Sequence, residues 1–171
     1  MKILGISGGM RNGSNDGMCI EALMGAKEMG AEVEFIQLQN LHIEHCTGCT
    51  ACVQSVLGGR GGKCVLKDDF DWLLDKMLDA GLLDEAKLVY DHRQTYRTAA
   101  QAIGYKEFFP YFEGTAPLDA CTEKLKQASR NYAKRQLTWF RHMDGVVWLD
   151  ASAPDVTARA VQLTQEFLAK G

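Results

Sequence analysis

Lys2-Ile3-Leu4-Gly5-Ile6-Ser7 is an apolar run that passes straight into Gly8-Gly9-Met10-Arg11-Asn12-Gly13-Ser14-Asn15. A short apolar run closed by a glycine turn suits a buried parallel strand. Glycines in the turn let the backbone approach a ligand closely. Ser14 or Asn15 can cap a following helix. Ile20, Leu23, Met24 and Lys27 to Met29 supply the apolar face of that helix, and Gly30 stops it. Glu32 to Leu38 alternates as a second strand. Strand, Gly/Ser/Arg loop, helix and strand form half of a nucleotide-binding α/β unit. In such a unit backbone N–H groups and the positive helix end favour a phosphate.

The pattern then changes. Lys67-Asp68-Asp69-Phe70 with Trp72, Leu73, Met77 and Leu78 starts an amphipathic helix. A doubly wound domain needs about five strands, but beyond Ala80 the chain reads as helices. Gly81 to Tyr90 continues as helix, and a second helix runs from about Thr98 through Phe112 to a stop at Gly114. A third, long one runs from Pro117 to His142, with Leu118, Cys121, Leu125, Ala128 and Tyr132 on one stripe. Val146 to Leu149 is a brief extended piece, and Pro154 opens a last helix with Val156, Ala160, Leu163, Phe167 and Leu168 apolar.

Charge divides the same way. The net charge of −3 argues against a uniformly basic nucleic-acid binder. Up to Ala80 there are 7 Lys and Arg against 11 Asp and Glu; from Gly81 on the counts are 12 and 11. From Lys124 to Arg141 there are six Lys and Arg and no acid, and Lys126, Arg130 and Lys134 repeat at i, i+4 with Tyr132 and Trp139 interleaved. That is either a solvated helix face or the footprint of a polyanion such as RNA. No apolar run reaches the roughly 18 residues of a membrane span, and the first residues lack the pattern of a secretory signal. The expectation is a cytoplasmic protein with reduced cysteines and no membrane partner.

Four of the six cysteines follow the spacing C-x2-C-x2-C-x11-C: Cys46, Cys49, Cys52 and Cys64. Thiolates in a tight loop plus one further on hold a [4Fe–4S] cluster, while His42 and His45 nearby make zinc a competing metal. Cys19 and Cys121 read as single buried thiols. Gly58-Gly59-Arg60-Gly61-Gly62-Lys63-Cys64 is not a Walker A loop. Leu57 stands where its first Gly belongs, and Cys64 where Ser or Thr would reach Mg²⁺. The stretch reads as a flexible loop between cysteines.

Two family resemblances follow from these residues. The front loop is similar to the Ser-Gly-Ser-x-Arg-x-x-Ser-Asn phosphate loop of NADPH-dependent FMN reductases, and the cysteine run resembles that of iron–sulfur flavoproteins. The resemblance implies a flavodoxin-like fold, with Ser7, Arg11, Ser14 and Asn15 on the FMN phosphate and the four cysteines on a [4Fe–4S] cluster. Gly9 stands where the family commonly has Ser, and Asp16 adds a carboxylate beside the intended anion. With no third strand, nothing is left to hold the flavin ring.

In the back, Gln101-Ala102-Ile103-Gly104-Tyr105-Lys106-Glu107 and Arg130 to Arg141 look like two signature stretches of tRNA dimethylallyltransferases, the IPP transferase family. Tyr111-Phe112-Glu113-Gly114 and Trp148-Leu149-Asp150 fit the same family. The resemblance implies tRNA, not DNA, as partner. Its contacts would be Gln101, Ala102, Ile103, Gly104, Tyr105, Lys106, Lys134, Arg135, Gln136, Leu137, Thr138, Trp139, Phe140 and Arg141. The family also uses a P-loop, a general-base Asp and Mg²⁺, and no such groups are found here, so no catalytic residue is assigned.

The fold class expected is α/β: an incomplete flavodoxin-like βαβα segment over 1–80, then a mainly α-helical segment over 81–171. Function reads as a tRNA dimethylallyltransferase-like segment joined to a partial flavoprotein, neither active site complete. The alternatives are an FMN reductase-like oxidoreductase and a non-functional fusion. Asp75 to Gly81 suits either family, which suggests a crossover there. Apolar faces left uncovered on both pieces favour self-association.

Overall fold

A computed structural model describes residues 1–58, 62–150 and 153–169. Gly59, Arg60 and Gly61 of the loop between cysteines lie outside the described residues. Strand β1 (Lys2–Ser7), helix α1 (Ser14–Glu28) and strand β2 (Glu32–Gln37) form as the apolar pattern requires. The strands pair in parallel, in register from Lys2 opposite Glu32 to Ser7 opposite Gln37. Gly5 carries no side chain because α1 leaves no room: a Cβ there would stand 2.7 Å from both Cys19 Sγ and a Leu23 methyl. The helix begins after Gly13, and no side chain caps it, so the expected cap from Ser14 or Asn15 is not made. Gly30, at φ +85°, ends the connection to β2.

Helix α2 (Ala51–Leu57) lies inside the cysteine run, where no helix was expected. Helix α3 (Phe70–Asp79) follows. Helix α4 (Leu82–Asp91) is a separate element, not a continuation. Gly81 at φ +107° breaks the chain between them, a conformation that costs other residues dearly. The expected helix from Thr98 to Phe112 is also broken. It resolves into tight turns at Ala99–Gln101 and Lys106–Phe108 and a short helix α5 (Phe109–Phe112), with Gly104 at φ +109° between the turns. Helix α6 (Leu118–Arg141) and helix α7 (Val156–Leu168) form over the expected spans; Cys121 and Leu125 of the α6 stripe are buried, whereas α7 buries no residue, and Val146 to Leu149 is irregular chain. The only sheet among the described residues has two strands.

The chain divides into two units, Met1–Leu137 and Thr138–Gly171. The core of the first is Leu74, Leu82, Ala86, Phe108, Cys121 and Leu125. Residues from either side of position 80 therefore share one core. Phe108 is fully buried, and truncating such a residue costs about 3–5 kcal/mol. Burial also pushes the Cys121 thiol up from its ordinary range. No described helix is long and apolar enough to cross a membrane.

Candidate nucleic-acid interface

Two stretches distant in sequence meet in one cleft of the first unit. Gln101, Ile103 and Lys106 line one wall, Ser129, Tyr132 and Arg135 the other, around about 610 Å³. The second wall comes from α6, where residues three apart are surface neighbours. The first wall is a loop held from beneath. Gly104 takes its left-handed φ, and its N–H donates to the buried Glu107 carboxylate at 2.9 Å. Lys106 Nζ donates to the Gln101 carbonyl at 2.9 Å, spanning the loop. Tyr105 O–H reaches Glu85 at 3.5 Å, and burial, then Glu85, pushes the Tyr105 phenol up.

Of the first expected stretch, then, Gln101, Ile103 and Lys106 face the cleft, while Ala102, Gly104 and Tyr105 are not among its lining. Of the second, Arg135 lines it, Lys134 and Gln136 are exposed nearby on α6, and Leu137 is half-buried. Thr138, Trp139, Phe140 and Arg141 belong to the second unit. There Trp139 and Phe140 rings stand 5.2 Å apart and Phe140 and Trp148 rings 6.5 Å apart. Trp139 and Trp148 are more than half exposed, so the group offers rings on which bases can stack. Ser129 was missed because a lone serine on a helix carries no motif.

The expected basic face of α6 is not one free surface. Arg130 is buried and holds Asp68 in a bidentate pair, at 2.6 Å from Nη1 and 2.7 Å from Nη2. Its Nη1 also donates to the Glu44 carbonyl at 2.8 Å, and its guanidinium lies 5.2 Å from the centre of the Phe70 ring. The Arg130 guanidinium holds the Asp68 carboxyl far below the ordinary carboxylate range, against the opposing effect of burial. Lys126 pairs with Asp71 at 2.6 Å and Glu123 at 2.9 Å. Lys134 lies over Gly48: a Cβ there would stand 2.5 Å from its Nζ. The i, i+4 spacing is regular, but acidic side chains of the front occupy two of its three positions: Asp68 and Asp71 lie 62 and 55 positions upstream of Arg130 and Lys126.

The front loop is arranged around a carboxylate. Asp16, buried, accepts from Ser7 Oγ at 2.5 Å, from the Asn12 N–H at 2.7 Å and from Gln37 Nε2 at 3.0 Å. The Ser7 hydroxyl is the main cause that holds the Asp16 carboxyl low. Arg11 turns away to the Gln39 carbonyl at 3.1 Å, and Asn15 packs against Gly9. Ser14 is the first residue of α1. A phosphate would have to displace the carboxylate, so the loop as arranged does not fit the FMN phosphate. The cysteines are likewise arranged apart: among the described residues no three His, Cys, Asp or Glu converge on one metal position. Cys52 Sγ accepts from Gln127 Nε2 at 2.8 Å, and the Cys46 N–H meets the Arg130 carbonyl. Cys46, Cys49, Cys52 and Cys64 are thus not brought together around one metal position among the described residues. The exposed Cys49 thiol is held below its ordinary range by the Ala51 N–H and Thr47.

The IPP transferase family model matches residues 32–143, and the chain belongs to this family. The tRNA dimethylallyltransferase of Lactobacillus gasseri is 59% identical over 98 residues, which are 57% of this chain and 32% of that protein. The chain thus spans about a third of the length of the curated relatives it matches. A solved tRNA delta(2)-isopentenylpyrophosphate transferase from Staphylococcus epidermidis is 36% identical, covering 57% of this chain and 32% of its own, at TM-score 0.45. A solved flavone reductase is 74% identical over 47% of this chain and 21% of its own, at TM-score 0.34.

Proposed function

We propose that this chain binds tRNA, as the RNA-holding part of a dimethylallyltransferase-type protein. One observation carries the reading. The cleft brings the Gln101–Lys106 loop and α6 together and offers two cations, Lys106 and Arg135, beside the half-exposed Tyr132 ring. Cations for phosphates next to an aromatic face for a base are what single-stranded RNA requires. Family membership and the naming of its relatives support the same partner.

Dimethylallyl transfer itself is assigned to groups outside these residues. A departing diphosphate needs preorganised N–H, Lys and Mg²⁺ stabilisation, and the sequence holds no G-x-x-x-x-G-K-S/T loop. The chain alone is expected to bind bulk tRNA and to transfer no dimethylallyl group to it. Binding measured across a salt series tests the first half. Each phosphate contact on a single strand contributes a slope of about −0.7 in log K against log salt. Lys106→Ala with Arg135→Ala together should flatten the slope by about two such contacts. Binding indifferent to salt would refute the reading, and prenylated product would refute the assignment of the chemistry.

A further inference from the structure

We infer that Glu107 is a positioning residue of the tRNA cleft, setting the Gln101–Lys106 loop from beneath without touching the RNA; the inference rests on the RNA reading of that cleft. Glu107 is 4% exposed and does not line the cleft. A carboxylate is seldom buried unless something needs it there. Here it accepts the Gly104 N–H at 2.9 Å. Gly104 stands at φ +109°, outside any regular element, so its N–H has no ladder or helix partner to hold it. On either side of this glycine the chain must deliver Ile103 and Lys106 to the same wall. The backbone bonds that close the loop otherwise are long: Tyr105 and Lys106 N–H reach the Ala102 carbonyl at 3.5 Å each. The Glu107 bond is shorter than both. The neighbouring Phe108, fully buried in the core, fixes the carboxylate's own base. The core therefore sets Glu107, Glu107 sets Gly104, and Gly104 sets where the Lys106 ammonium can go.

The test compares the full chain with Glu107→Ala, Glu107→Gln and Lys106→Ala, using bulk tRNA as the probe. Glu107→Gln keeps an oxygen for the Gly104 N–H and should bind within about twofold of the parent. Glu107→Ala should weaken binding roughly tenfold and lower the salt slope by about one contact, as Lys106→Ala does. A side chain that only stabilised the fold would reduce the active fraction and leave the slope of the folded protein unchanged. Amide exchange at Gly104 gives a readout independent of RNA: it should quicken in Glu107→Ala and not in Glu107→Gln. An unchanged slope in Glu107→Ala, or Glu107→Gln binding as weakly as Glu107→Ala, overturns the inference. If the parent chain shows no salt-dependent tRNA binding, the RNA reading itself falls, and Gly104 exchange separately decides whether Glu107 holds the loop.

Discussion

Arg130→Met is the sharpest test of how this chain holds together. The Asp68 and Arg130 side chains are 1% and 3% exposed and joined by two hydrogen bonds. Removing one partner of a buried pair strands the other charge, at a cost of about 3–5 kcal/mol. Structure places each variant within that range. After Arg130→Met, Asp68 still accepts from the Glu44 N–H at 2.7 Å and the Phe70 N–H at 3.1 Å. The loss should sit near about 3 kcal/mol. After Asp68→Ala, the guanidinium keeps only the Glu44 carbonyl and the Phe70 ring, and its Nε has no partner even now. That variant should lose nearer about 5 kcal/mol. Replacing both by apolar residues, Asp68→Leu with Arg130→Met, should recover most of the loss, because neither charge is left buried. Urea unfolding followed by circular dichroism measures all three. A typical domain has about 5–15 kcal/mol in total, so the single variants should be visibly weakened. The exposed Lys87–Asp91 pair, at 2.6 Å, is the control, and pairs of its kind contribute only about 0.3–0.5 kcal/mol. If Arg130→Met costs no more than Lys87→Ala, the reasoning from burial is wrong.

Two further outcomes follow from the same geometry. The Asp68 carboxyl is held low in the folded state, so its contribution is complete above the ordinary Asp value of about 3.9 and is lost as pH falls toward the folded value. The urea midpoint should therefore be flat at neutral pH and decline below about pH 4, less steeply in Arg130→Met; Asp16, also held low, acts in the same direction. Among the thiols, the exposed Cys49 is held low by the Ala51 N–H and the buried Cys121 is pushed up by burial. Alkylation followed by peptide mapping should label Cys49 before the other cysteines and Cys121 last. Equal rates at the two would contradict both assignments.

What the sequence disclosed was local. The apolar run before Gly8, the stop at Gly30 and the stripe through Cys121 and Leu125 each report on neighbours a few positions away, and each element formed where its pattern lay. Gly81 and Gly104 show the limit of that logic. Helix periodicity runs through both, but their left-handed φ breaks the chain, and a glycine within a helical pattern does not announce which conformation it takes. Of the site, the two signature stretches were legible, but their meeting in one cleft was not. The role of Arg130 was hidden for a physical reason. A charge on a helical stripe reads as solvent-facing until its partner is known, and Asp68 lies 62 positions away. Glu107 was visible only as part of a motif, because burial has no signature in a single acidic letter.

The Asp16 arrangement has a consequence for how the front of the chain should be regarded. A turn whose anion comes from the third residue of the helix it introduces has already neutralised the feature that would draw a nucleotide to it. The half-unit of two strands and a helix can then stand as plain scaffold, indifferent to phosphate in its surroundings, and any gain of affinity there would have to begin with the departure of a side chain rather than the arrival of a ligand.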